Sequence, residues 1–231
     1  MKYLFLGIFL LLATFVSAQE AEREYIIHPD PIPQGKFQSG LGLVMVVLPR
    51  QIVEEQIRSV PMLDYQCRYG LPENFSLFGR ASSNYFTNSI SLMPQWAHEF
   101  NRISVGVGFG LSYWFGFVNM DGFNVTASSW LNSPNVFIGI DFVDWLMTVW
   151  FDTQIIATRS TKTEGVEVGT DKNSVASYGV GLAIEQPFFG RTSSVLSFKA
   201  NFAKALYHAW LAFSTFNNYI LYPELTFSLL F

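Results

Sequence analysis

Residues 102–115 read RISVGVGFGLSYWF. The odd positions Ile103, Val105, Val107, Phe109, Leu111, Tyr113 and Phe115 are large and apolar, while the even ones are Arg, Ser, Gly, Gly, Gly, Ser and Trp. A period of two belongs to a β-strand whose side chains alternate between two surroundings. The stretch exceeds the five or six residues usual in globular sheets and suits the ~9–11 residues of a strand crossing a bilayer at a tilt. The large face then meets lipid and the small polar face lines a lumen.

Outward from this stretch the alternation returns in residues 147–157, 176–184 and 196–202, and less cleanly in 37–48, 63–71, 75–81, 86–96 and 136–142. The last segment, 221–231, sets Leu225, Phe227, Leu229 and Phe231 on one face and Glu224, Thr226, Ser228 and Leu230 on the other. About ten strands result, with eight or twelve as alternatives. The gaps at 72–74, 98–101, 143–145 and 187–192 are short, whereas 49–59, 119–134, 159–173 and 205–220 are longer, with 82–85 short among them. Short turns on one side and long loops on the other predict an all-β, antiparallel transmembrane barrel with up-and-down meander topology.

Composition agrees. Half of the 231 residues are hydrophobic, 17% are aromatic and only 14% are charged, which is greasy for a protein dissolved in water. No apolar run after residue 18 reaches the ~20 residues of a helical span. Residues 1–18, MKYLFLGIFLLLATFVSA, have a charged start at Lys2, an apolar run and a small-residue end, so they read as a signal peptide cleaved near Ala18, with an anchor helix as the alternative. The one cysteine, Cys67, forbids an internal disulfide and a lipid-anchored Cys at the cleavage point; by phase it faces lipid as a small hydrophobe. Residues 19–36, with Pro29, Pro31 and Pro33, have no period and read as a flexible periplasmic lead-in to a barrel domain spanning 37–231.

A signal peptide followed by a final alternating strand that closes on Phe231 resembles the insertion signal of bacterial outer-membrane β-barrel proteins. The resemblance implies a Gram-negative outer membrane, with Leu225, Phe227, Leu229 and Phe231 read by the barrel-assembly machinery and with the lipid bilayer and lipopolysaccharide as surroundings. Residues 61–77, PMLDYQCRYGLPENFSL, also resemble one hairpin of outer-membrane proteins linked to aromatic-compound uptake, through Tyr65, Arg68, Tyr69, Gly70, Leu71, Phe75 and Leu77.

With the large residues facing lipid, the phase turns nine charges inward: Asp64, Arg68, Arg80, Arg102, Asp141, Asp152, Glu185, Lys199 and Glu224. A basic residue on the lipid side would cost ~2–4 kcal/mol at mid-bilayer, so energy supports the phase. A turn centred on Pro72 sets Asp64 opposite Arg80, and Lys199 and Glu224 fall at similar depths, which predicts cross-strand ion pairs bridging a narrow lumen. The inward glycines Gly40, Gly42, Gly106, Gly108, Gly110, Gly179 and Gly181 either open a solute path or make room for inward Trp114, Trp150 or Phe137.

Three functions are weighed. A porin-like narrow pore passing small solutes fits the polar inner face. A structural or interaction barrel would use its external loops, the polar 159–173 and the apolar 205–220 with Leu206, Tyr207, Trp210, Leu211, Phe213 and Phe216, to bind a partner, cap the lumen or pack at the membrane surface. A hydrolase of lipid A or phospholipid is the least supported: His208 lacks a His-x-Ser-Asn context, His98 is assigned to a periplasmic turn and His28 to the tail. The GVGFG run is followed by no helical pattern and implies no dinucleotide, no residue set implies another cofactor or a metal, and a net charge of −4 gives nucleic acid no footprint.

Overall fold

The computed structural model describes residues 24–47, 59–84, 86–120, 123–189, 192–204 and 218–231. Ten strands follow one another: β1 (Phe37–Val47), β2 (Ser59–Gly70), β3 (Phe75–Ser83), β4 (Thr87–Phe100), β5 (Ile103–Met120), β6 (Phe123–Phe142), β7 (Trp145–Thr163), β8 (Val166–Phe189), β9 (Thr192–Ala203) and β10 (Ile220–Leu230). Each pairs antiparallel with its sequence neighbours, and β1 pairs with β10, so the sheet closes on itself. Closure removes both sheet edges and satisfies the backbone across the full span, as hydrocarbon demands.

The phase read from the sequence holds at the wall. Leu41, Leu63, Ile90, Val107, Phe109, Leu111, Ile138, Phe151 and Phe227 point outward and are exposed, while Gln38, Asp64, Gln66, Ser104, Thr148 and Thr226 point inward and are buried. Aromatic pairs mark two outer belts. Phe142 stacks on Trp145 at 4.1 Å, and His98 lies between Trp96 and Phe100, near the short turns. Tyr113 packs on Trp130 at 4.7 Å toward the other end. Ile103 and Tyr113 are ten residues apart along β5, which at ~3.3 Å per residue and ~40° tilt spans about 25 Å, the height of a lipid-facing band.

The structure corrects two expected loops. Residues 119–134 and 159–173 are largely strand: β5 and β6 meet across 121–122, and β7 and β8 meet at Glu164 and Gly165, both at positive φ as a tight two-residue hairpin turn requires. Their Ser, Thr and Asn content reads as loop because large and small residues no longer alternate strictly along these extensions. Three bulges accompany the extension, one leaving Ala157 out of the β6–β7 register and two leaving Ala176 and then Val168 out of the β7–β8 register. The first turns Arg159 inward, against the alternation below it; the second buries Ala176, expected on lipid, beside Ser177. The predicted signal peptide, the connection 48–58 and most of the apolar loop 205–220, including His208, lie outside the described residues.

Candidate functional site: a plugged lumen

Residues 24–36 are not a free tail. Just below β1 the chain is tied to β2, with Gly35 N donating to Gly70 O at 3.0 Å and Gly70 N to Lys36 O at 2.9 Å. It then turns into the lumen, where Ile26 and His28 are fully buried. A buried extended backbone must find partners for its amides and carbonyls, and two opposed charges supply them. Glu185 on β8 accepts from the N–H groups of Ile26 (2.7 Å), Ile27 (3.1 Å) and His28 (2.6 Å). From the opposite wall Arg68 on β2 donates to the carbonyls of His28 (2.6 Å) and Asp30 (3.1 Å), with its Nε on Ser76 Oγ at 3.0 Å. Gly139 on β6 leaves room for the His28 ring, which a Cβ there would strike.

Side chains complete the clasp. His28 Nδ1 meets Thr148 Oγ1 at 3.1 Å, His28 Nε2 meets Asp30 Oδ1 at 3.2 Å, and Ser104 Oγ donates to the same carboxylate. Burial alone would raise the Asp30 carboxyl, but bonds from His28 and Ser104 together with the Arg68 charge outweigh it and hold Asp30 below the usual carboxylate range. Burial, reinforced by the nearby Asp30 carboxylate, pushes the Tyr25 phenol above its ordinary value; its hydroxyl donates to Pro31 O at 3.1 Å. The order Thr148–His28–Asp30 is that of a nucleophile, base and orienting acid. Thr148 and His28 are both fully buried, however, and neither lines the cavity above them, so the trio holds the segment in place.

Above the plug the charges pair, though not wholly as hairpin arithmetic predicts. Asp64 faces Ser82 and Arg80 faces Gln66 in the β2–β3 register, two residues off the expected match, yet the long Arg80 side chain reaches back diagonally to Asp64 Oδ1 at 2.7 Å. Its Nη2 also lies 3.4 Å from Glu224 on β10, past the intervening β2 and β1. Gln66 and Ser82 donate to Asp64 at 2.5 and 2.6 Å. Lys199 and Glu224 are direct register partners, as expected, but Lys199 Nζ bonds Asp152 on β7 at 2.9 Å. Gly179 on β8 permits that crossing, since a Cβ there would meet both Lys199 and Asp152. Gly181, one inward position below, lies under the Trp150 ring. At these two positions the glycines make room for larger neighbours.

Between plug and far end lies a cavity of about 170 Å³. Ile26 and Ile27 of the plug form part of its lining, as do Trp150, Phe78 and the Arg80 and Lys199 ion pairs. Toward the long hairpins Trp114, Leu131, Ile156, Ala127 and Ala176 pack into an apolar cluster that narrows the lumen, and above it the buried Arg159 lies 3.7 Å from Asp171.

Of the nine charges predicted to line the lumen, Asp64, Arg68, Arg80, Asp152, Glu185, Lys199 and Glu224 point inward, gathered into the plug clasp and the two ion-pair groups. Arg102 does not: it sits exposed in the turn between β4 and β5, because the strand starts one residue later. Asp141 is half-buried at the short-turn rim, its amide bonded to Arg102 O at 2.8 Å. Leu225, Phe227 and Phe231 are exposed on the outer wall of the barrel, and Leu229 is half-buried. His98, expected in a turn, lies in β4 within the aromatic belt, and Cys67 is half-exposed among the outward residues of β2. Sequence reasoning missed His28, Asp30, Thr148 and Arg159. One signal was present: Arg68 and Glu185 are among the five inward charges, with Arg102, Asp141 and Asp152, that the two predicted pairs leave without a partner, and buried charges need one.

No family model matches the chain, and no curated protein matches it. Among solved structures, the KdgM porin is similar at 9% identity and a TM-score of 0.40, covering 85% of this chain and 98% of that one. The translocator domain of the autotransporter NalP from Neisseria meningitidis is similar at 9% identity and a TM-score of 0.45, covering 85% and 88%. Salmonella typhi OmpF, in a complex with daunomycin, gives 7% identity and a TM-score of 0.26 over 90% and 100%.

Proposed function

We propose that this protein is a bacterial outer-membrane barrel that passes a small solute, and that its own segment 24–36 holds the lumen shut at the periplasmic end. The orientation follows the rule that short turns face the periplasm. The observation that carries the reading is the clasp. The lumen at that end is filled by a separate piece of chain, held mainly by hydrogen bonds to Glu185 and Arg68, with a cavity directly above it. Side chains of the wall could have filled the lumen permanently; a detachable segment can be displaced. Planar-bilayer recording tests this. Wild-type barrels should be mostly silent, and deletion of residues 24–31 should give steady channels. A refolded deletion variant that stays silent would refute the passage.

Delivery belongs to the same reading: Leu225, Phe227, Leu229 and Phe231 of β10 are the residues we assign to recognition by the assembly machinery. A second reading, a barrel that binds a partner, is favoured by one feature. The β7–β8 hairpin projects past the aromatic belt and exposes Val166 and Val168 near its tip. Replacing both by Ser should leave barrel folding intact and abolish partner capture.

A further inference from the structure

Resting on the reading that solutes enter the lumen, we infer that the cavity above the plug is a binding site for a neutral, polyhydroxylated molecule of one-ring size, a monosaccharide or cyclic polyol. Four observations define the chemistry.

Size comes first. At about 170 Å³ the cavity is close to the ~150 Å³ that accommodates a single six-membered ring in an engineered protein core, and too small for a chain of rings. Next is the wall made by four adjacent strands. Ser82 on β3, Ser89 and Ser91 on β4, Ser112 on β5 and Ser133 on β6 face the cavity as a belt of small hydroxyls. Small side chains create the space, and each hydroxyl can donate and accept. Ser89, Ser112 and Ser133 make no side-chain hydrogen bond to another described residue, so their capacity is open to water or a ligand.

The third observation is charge. Lys199 is bonded to Asp152, and Arg80 to Asp64 and Glu224. Both cations on the cavity wall are thus already matched by carboxylates, and an anionic solute would have to break those pairs. Last, Gln66 lines the cavity at 3% exposure; its amide nitrogen donates to Asp64, and its Oε1 has no hydrogen-bond partner among the described residues. A buried acceptor of that kind favours a donor, which a sugar hydroxyl supplies and a hydrocarbon does not. Trp150, Phe78 and Ile27 add apolar surface for the C–H face of a ring. Few polar groups converging beside aromatic surface is the usual make-up of a small-molecule site.

The test uses the refolded mature barrel in detergent, titrated with glucose, glucuronate and phenol while tryptophan emission is read. Glucose should give a saturable change with an affinity at least tenfold tighter than glucuronate or phenol. The double variant Ser112→Val, Ser133→Val should lose at least tenfold in glucose affinity while keeping the heat-dependent gel mobility of a folded barrel. If that variant fails to fold, the single variants Ser112→Ala and Ser133→Ala, with the plug in place, replace it and should each weaken glucose binding. The inference is overturned if glucose gives no saturable change, if glucuronate or phenol binds as well, or if the folded serine variants bind unchanged. Failure of the passage reading is separate: saturable glucose binding with a silent deletion variant removes the passage and keeps the site, whereas channels without a glucose response remove the site and keep the passage.

Discussion

Replacing Glu185 by Ala should release the plug, and the structure sets the size of the effect. The carboxylate accepts three backbone N–H groups at 2.7, 3.1 and 2.6 Å and is 2% exposed. Hydrogen bonds to a charged group are worth ~1.5–3 kcal/mol each when considered singly. The sum overstates the loss, because the amides of Ile26, Ile27 and His28 regain water once the segment leaves. Breaking a buried charged contact by removing one partner costs ~3–5 kcal/mol, so a shift of about 4 kcal/mol, or roughly a thousandfold in the docking equilibrium, is expected. Glu185→Gln keeps the shape but offers one carbonyl oxygen to three donors, and should fall between wild type and Ala. Hydrogen exchange at the amides of residues 26–28 in the refolded barrel reads the equilibrium directly, with bilayer conductance as the second readout. Protection that falls less than tenfold in the Ala variant would refute the account of Glu185 as the principal clasp.

Further tests address pH, packing and the wall. Asp30 has a lowered pKa in the docked plug, so docking is strongest above the ordinary carboxylate value and weakens as pH falls through the lowered one; Tyr25 has a raised pKa, so docking holds below about pH 10 and weakens as pH climbs through the raised value. Amide protection at residues 26–28 should therefore be maximal between these limits, and a flat profile would exclude both groups. Gly181→Val should drive Trp150 off the strand and cost ~1–3 kcal/mol by overpacking, seen as an emission shift and a lower melting temperature. Arg80→Met removes the guanidinium that bridges the fully buried Asp64 and Glu224 and should destabilise the barrel by ~3–5 kcal/mol, read by chemical unfolding. Val107→Arg, on the outer face, should cost ~2–4 kcal/mol in a lipid bilayer, measured by chemical unfolding from vesicles.

The class of fold was legible in single strands. In β5 the alternation of Val107, Phe109 and Leu111 with Gly106, Gly108 and Gly110 states both the strand and its two solvents, because lipid and lumen impose opposite demands on successive side chains. The same signal failed in the extensions of β5 to β8, where Ser, Thr and Asn interrupt the alternation of large and small residues. It also misplaced Arg159, since one bulged residue reverses every later side chain. Diagonal reach hid the ion pairs in part: register neighbours were legible for Glu224 and Lys199, but Lys199 reaches Asp152 only by crossing Gly179 on the neighbouring β8.

What the sequence determined alone is therefore the barrel, a strand number near ten and most of the side chains that face outward, all local consequences of a period of two; the count of ten comes from the closed sheet. What only the tertiary structure decided is the content of the lumen. Residues 24–36 have no period, and nothing along the chain brings His28 to Glu185, 157 residues away. Their meeting exists only once β2 and β8 stand on opposite walls of a closed barrel, where two buried charges gain a partner in the backbone between them.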